Sequence, residues 1–504
     1  MNIRPKLSFQ SISLLVSAFL ISSFQAFGSP SDTLCLKITT DVISSGYIGN
    51  GVQWDAYPEA ALWGATISDA DWQTLYKRLD FMKPNFVRCL INSPFRYYDS
   101  KTGTYDKTRN IESLRKLLQY CQDNNITVLF GEYNPPNRNI KQDTAWIDMA
   151  VDYLNYLVND LGFSCIRYYN LFNEPDGNWS STNGDYEMWK DMVLMFNRKM
   201  KQYPTLSGKV RFAAPDIVVG YRNSASPYQP YEWIEQSARD MDSIIGIYDV
   251  HAYPGQYEVR SGQFARTIKD YIDKVPEGKK IVLGEAGFKY YKKKDSALMA
   301  EQLRRIKGHP FTKGSDCNML VYDFFYGLDM PLLCMEVMNA GFSGMAVWML
   351  DDAMHSNGDA GDITDIKLWG MWNILGEEVF NMPGEEKMRP WFYTWSLMCR
   401  YFPKGTDILK TDNTNTDKIV AVAGINNGKL TVAMVNKGTA DKVINVALPR
   451  PVNNARLYIY REDLMPEDTE GFPVPWATGV NTGDSYTVTL KARSYMLLTD
   501  AEYK

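Results

Sequence analysis

The sequence predicts an α/β protein, a (β/α)8 TIM barrel followed by a C-terminal antiparallel β-sandwich domain. Between about residues 50 and 400, eight short β-rich apolar runs alternate with segments of helical apolar period. After about residue 400 the pattern changes to strand-like alternation punctuated by turn residues. No glycine-rich GxGxxG or phosphate-cradling loop follows an early strand, which disfavours the doubly wound open sheet, the structural alternative.

The chain opens with Arg4 and Lys6, an uncharged run containing SISLLVSAFLISSF, and small residues at Ala26 and Gly28, the order of a cleaved secretory signal peptide. Ser11, Ser13, Ser17, Ser22, Ser23 and Gln25 dilute that run and weigh against an uncleaved anchor. The mature chain is expected to be secreted or periplasmic and to lack a transmembrane span.

The strand candidates are NGVQWDAY (50–57), NFVRCLI (85–91), ITVLFGEY (126–133), CIRYYNLFNE (165–174), VRFAAPDIV (210–218), GIYDVHAY (246–253), KIVLGEAGF (280–288) and GMAVWML (344–350). Between them, SDADWQTLYKRLDFM, NIESLRKLLQYCQDN, TAWIDMAVDYLNYLVND and EMWKDMVLMFNRKMKQY have polar N-caps and apolar spacing near 3.6. Parallel strands need such crossover helices, and closing the sheet leaves no open edge. RPWFYTWSLMCRYFPKG (389–405) reads as the last barrel helix, stopped by Pro403 and Gly405. Beyond it KIVAVAGI, the turn Asn426-Asn427-Gly428, KLTVAMVNKG, VINVAL, ARLYIYRE and SYTVTLKARSYMLL read as a compact sandwich. The expected division is signal peptide 1–28, barrel 29–402 and sandwich 403–504, with no low-complexity linker and so a rigid junction.

A chain of 504 residues, 45% hydrophobic and 13% aromatic, buries a substantial core. Its net charge of −5 gives no basic surface for nucleic acid or anionic lipid, and neutral or weakly charged partners fit better. The cysteines number seven, so at least one thiol is unpaired, and with no CxxC pair and three histidines a zinc site or thiol nucleophile is a poor reading. Cys89, Cys165, Cys121 and Cys399 read as buried structural thiols. Asp351, Asp352, Asp359, Asp362 and Asp365 crowd the loop after strand eight, but their spacing is not that of an EF-hand, so an acidic solvated loop is the expectation. No metal and no cofactor is predicted.

Glu174 in IRYYNLFNEPDG and Glu285 in KKIVLGEAGF each end an apolar strand-like run. Two carboxylates delivered by separate strands to one face suit glycosidic bond cleavage, one protonating the leaving oxygen and one attacking or stabilising the anomeric carbon. Their separation, about 37 residues for each of three units, fits a decorated barrel, whose reactive groups gather at the C-terminal ends of the strands.

The Asn173-Glu174-Pro175 triplet after a strand, with a second glutamate at the strand end three units later, resembles the retaining glycoside hydrolases of clan GH-A, the 4/7 superfamily, over roughly residues 45 to 400. The resemblance implies Glu174 as acid/base and Glu285 as nucleophile, with Arg88 keeping Glu285 ionised. It further implies Asn173 on the sugar 2-hydroxyl, Tyr253 as the phenol near the nucleophile and Trp348 as the aromatic floor. His251 shares a strand face with Tyr253 and is placed to orient substrate or the acid/base, a satisfied core histidine being the alternative. Many relatives carry a histidine at the end of strand three, where this chain has Glu132-Tyr133-Asn134, so subsite contacts there do not carry over.

Trp54, Tyr57, Trp63, Tyr133, Trp179 and Tyr221 lie in or beside strand-end loops and as a set suggest a glycan cleft, Trp54 and Tyr133 being taken as substrate contacts. Lys289, Lys292, Lys293 and Lys294 read either as a solvated face or as contacts to an acidic sugar. The expected substrate is an oligo- or polysaccharide cleaved with retention. A non-catalytic glycan-binding protein and a transglycosylase are the other readings.

Overall fold

The computed structural model describes residues 33–57, 66–99, 101–133, 144–312, 316–355, 365–412 and 418–502. The expected signal peptide, Trp63, Asn134, Asp359 and Asp362 lie outside the described residues.

Eight parallel strands close into a barrel: Gly49–Gln53, Phe86–Ile91, Thr127–Glu132, Ile166–Asn170, Arg211–Val218, Ile245–Ala252, Ile281–Ala286 and Gly344–Val347. Each falls within a residue or so of its sequence candidate, because alternating side chains on a closed sheet must serve two apolar environments. The inner one is small. Ile48, Phe86, Leu129, Ala213, Ile247, Val282 and Ala346 plug the barrel interior. The outward side chains, such as Val87, Cys89 and Ile91 on the second strand, pack against the helical layer. Helix Asp69–Met82 shows how that layer is anchored: Ser68 and Asp71 form a reciprocal capping box, and Trp72, Leu75, Leu79 and Met82 face the barrel.

A step of two along a strand moves a side chain one layer up the interior. From the apolar plug, Phe86 leads to Arg88, and Ile247 leads to Asp249 and His251, so the next layer is charged. Two register shifts add to it. One lies between Leu283 and Glu285 against the sixth strand, the other between Pro215 and Ile217, leaving Asp216 as the extra residue with φ +63°. Bulges of this kind re-aim a side chain, here turning both carboxylates into the barrel mouth.

The second domain is one curled nine-stranded sheet. Its members include Leu34–Ser44, which pairs antiparallel with Asp407–Asp412 and parallel with Lys442–Ala447. The expected boundaries put residues 34–44 in the barrel unit. The structure puts them inside the other domain's sheet, because an extended, alternating strand satisfies its backbone groups only beside another strand. The Asn427-Gly428 turn has both residues at positive φ, as a tight hairpin requires. The sheet is seated on the barrel through Tyr401 and Tyr458, whose hydroxyls lie 2.6 Å apart, Asn339 donating to the Ala421 carbonyl and Tyr460 donating to the Phe324 carbonyl. All seven thiols are free, and all but Cys35 are buried. Among the described residues no helix is long and apolar enough to cross a membrane.

Candidate active site

The charged layer converges on Arg88, which is fully buried. Its Nη1 donates to Glu285 Oε2 at 2.7 Å and to Gln53 Oε1 at 2.9 Å, and its Nη2 donates to Asn173 Oδ1 at 2.7 Å and to Asp216 at 3.3 Å. Tyr253 donates its hydroxyl to the other Glu285 oxygen at 2.5 Å. Both Glu285 oxygens are thus held by donors from two other strands, which fixes the carboxylate's orientation.

Glu174 lies four residues past its strand, in the turn that Pro175 opens, with φ +51°. Its amide donates to Asp216 Oδ2 at 3.2 Å, and its carboxylate is held by His251 Nδ1 at 3.0 Å and the Trp179 indole N–H at 2.7 Å. An oxygen of Glu174 and an oxygen of Glu285 come within 4.8 Å of each other and of a His251 nitrogen. The two glutamates singled out in the sequence therefore share one pocket.

Beneath them Asp216 accepts from four directions: Arg88, Asn170 Nδ2 at 2.9 Å, the Glu174 amide and His251 Nε2 at 3.0 Å. Burial alone would raise its pKa, but the charges of His251 and Arg88 outweigh that and lower it to about 2. Burial likewise disfavours a charged His251, yet the Asp216 and Glu285 charges hold its pKa well above the ordinary value. Both ring nitrogens then carry protons, one pointed at each carboxylate. Asp249, fully buried beside Asp216, is pushed well above the usual carboxylate range by burial and then by the Asp216 charge. Gly284 makes room for it: a Cβ there would sit 2.2 Å from Asp249 Oδ1, while the Gly284 amide donates to that oxygen at 2.8 Å. Two sets of ligand atoms are close enough to hold a cation, Glu174 with His251 and Glu285, and Asp216 with Asp249 and His251. In the arrangement described, a doubly protonated His251 offers no lone pair to either.

A second cluster continues from Gln53, whose Nε2 donates to Asp55 Oδ1 at 2.7 Å. Asp55 Oδ2 accepts from Tyr133 at 2.6 Å and from His355 Nε2 at 2.6 Å. His355 stacks on Trp348, with centroids 5.7 Å apart and planes 9° apart. Tyr133 and Trp348 are therefore brought together at the mouth. Trp179 and Tyr221 adjoin Glu174, their rings 4.7 Å apart. Of the lysine run only Lys289 reaches this region, its ammonium 4.3 Å from the Tyr253 ring centroid. Lys292 pairs with Glu258 and Lys294 lies over the exposed Tyr257.

Three expectations are corrected. Trp54 is not a cleft residue: Gln53 and Asp55 take the inward positions, so Trp54 points into the helical layer, fully buried against Tyr120. Tyr57 is also buried, donating to Asp351 at 2.9 Å. Asp351 and Asp352 are not a solvated loop. Asp351 accepts from the Trp372 indole and Asp352 pairs with Arg389 at 2.5 Å, both fully buried, as carboxylates that cap loop amides must be. Arg88 and His251, taken as substrate contacts, have no exposed surface and instead position the two glutamates. Asp216, Asp249, Asp55, Gln53 and His355 were not anticipated. The available signal was an acid inside an apolar strand run, as in FAAPDIV and IYDVHAY.

No protein-family model matches the chain, and no curated protein does. Solved structures do share its fold. A GH30 endoxylanase from Clostridium papyrosolvens C71 superposes with a TM-score of 0.57 at 15% identity, covering 92% of this chain and 99% of that one. A family 51 α-L-arabinofuranosidase from Bifidobacterium longum gives 0.59 at 13%, with 92% and 99% covered. A GH39 β-xylosidase from Caulobacter crescentus gives 0.57 at 11%, with 92% and 99% covered. The likeness is one of fold and runs through both domains, as the resemblance to clan GH-A leads one to expect.

Proposed function

We propose that the protein is a secreted glycoside hydrolase that cleaves oligo- or polysaccharides with retention of configuration. The observation that carries this reading is the pairing of Glu174 and Glu285, an oxygen of each within 4.8 Å of the other. Retaining enzymes hold their carboxyl groups about 5 to 5.5 Å apart, whereas inverting ones leave about 6.5 to 9.5 Å for a water.

The partners divide the labour. Glu285, gripped by Arg88 and Tyr253, attacks the anomeric carbon while the glycosidic C–O bond breaks and Glu174 passes a proton to the leaving oxygen. Water then attacks the same carbon, the Glu285 ester bond breaks, and Glu174 takes the water's proton. Asn173, tied through its Oδ1 to Arg88, is placed to offer its amide N–H to a sugar hydroxyl beside the bond. The fold neighbours are named as acting on xylan, xylosides and arabinofuranosides, so xylo- and arabino-configured glycans head the substrate panel, with β-linkage the default. The leader-like N-terminus supports export.

Glu285→Ala is expected to abolish hydrolysis, and added azide to restore turnover as a glycosyl azide of inverted configuration. Undiminished hydrolysis by this variant would remove Glu285 from the nucleophile role. Binding of glycans by the parent protein without cleavage across the panel would favour a carbohydrate-binding protein instead.

A further inference from the structure

The two Glu174 oxygens have partners of opposite character. Oε1 faces His251, which is sealed inside the barrel, and Oε2 faces the Trp179 indole, which is 50% exposed. A proton bound for a substrate can therefore leave only from the Trp179 side. An indole N–H is a donor and cannot accept, so it competes with any substrate oxygen for Glu174 Oε2. The loop is shaped for this contact. A Cβ at residue 177 would lie 2.3 Å from the Trp179 Cε2, so glycine there lets the ring fold back onto the Glu174 turn. Tyr221, from the loop after the fifth strand, stands 4.7 Å away at 54°, making an aromatic corner open to solvent.

We propose that Trp179 and Tyr221 form the leaving-group subsite, which receives the apolar face of a sugar ring, so that the substrate carries a saccharide and not a small aglycone on the departing side. The inference rests on the hydrolase reading above. As that ring docks, the leaving oxygen takes the place of the indole N–H at Glu174 Oε2, and the same contact that recognises the sugar readies the acid. Trp179 is thus both a specificity and a positioning residue.

The test uses the full chain, with matched pairs of substrates in the xylo, gluco, galacto, manno and arabino series: a disaccharide and the corresponding 2,4-dinitrophenyl glycoside. Dinitrophenolate departs without a proton and needs no sugar subsite. Trp179→Ala and Tyr221→Ala are each expected to lower the ratio of kcat/KM for disaccharide over aryl glycoside by roughly 10- to 100-fold. Trp179→Phe, which keeps the ring, should preserve most of the disaccharide KM. Tyr221 does not touch Glu174, so its variant separates loss of stacking from disturbance of the acid. Equal losses on both substrates, or none on either, would overturn the subsite while leaving the hydrolase standing. Failure of the parent protein on every pair would instead overturn the hydrolase reading.

Discussion

Asp216→Asn tests whether the buried hub beneath the glutamates holds the site together. The substitution keeps the side chain's shape but removes the charge that faces Arg88 at 3.3 Å and His251 at 3.0 Å, and it turns an NH2 donor toward groups that are themselves donors. The Asp216 pKa is lowered from 3.8 to about 2, so its ionisation contributes about 2.5 kcal/mol at neutral pH. Stranding two buried cations and mismatching a hydrogen bond brings the expected loss to about 3 to 4 kcal/mol. The folded-state value lies below the unfolded one, so this stability is present above about pH 4 and lost as pH falls toward 2. Urea unfolding should therefore show the gap between parent and variant at its full size at pH 7 and smaller by about 1 kcal/mol at pH 3. Because the Glu174 amide and His251 both lean on Asp216, kcat should also fall at least tenfold. A variant within about 0.5 kcal/mol of the parent at pH 7, with unchanged kcat, would refute the hub.

Gly284→Ala places a Cβ 2.2 Å from Asp249 Oδ1 in a sealed interior, so a loss of about 1 to 3 kcal/mol in urea unfolding is expected, accompanied by reduced kcat as Asp249 is driven toward Asp216. Glu132 accepts from Tyr97 and the Ser93 amide in full burial, and burial raises its pKa to about 8. Between its unfolded value and pH 8 the folded protein keeps a proton that the unfolded chain has released, so Glu132 costs stability as pH rises, on the order of 4 kcal/mol by pH 8. Glu132→Gln should accordingly gain in melting temperature over the parent from pH 5 to pH 8, and a difference that stays flat across that range would contradict the burial argument.

The eight barrel strands were legible because their apolar runs are short, β-rich and separated by amphipathic helices, a local signal that tertiary packing did not override. Glu174, Glu285, Arg88 and Tyr253 were legible for a related reason: each follows or closes such a run, and a closed barrel sends strand ends to one face. What the sequence hid depends on pairing between strands. The bulges that turn Asp216 and Glu285 inward exist only against the sixth strand. Trp54 was misjudged by parity, since one residue either way on that strand end separates the barrel mouth from the helical layer. Asp351 and Asp352 looked like a solvated acidic loop because their partners, Trp372 and Arg389, lie far along the chain. The strand Leu34–Ser44 was passed over because many of its side chains face water, blurring the apolar pattern.

That strand binds the molecule's two ends into one unit. It sits in the interior of the nine-stranded sheet, between segments made some 370 and 400 residues later, so on the ribosome it waits with both flanks bare until nearly the whole polypeptide has emerged. Cutting at residue 402 to isolate the barrel would leave an orphaned ribbon with a row of open amides and carbonyls, ready to recruit a neighbour. Expressing residues 403–504 alone would split that sheet at its middle. The two lobes are covalently sequential but topologically interlaced, and neither is a module that evolution or the bench can lift out by a single cut.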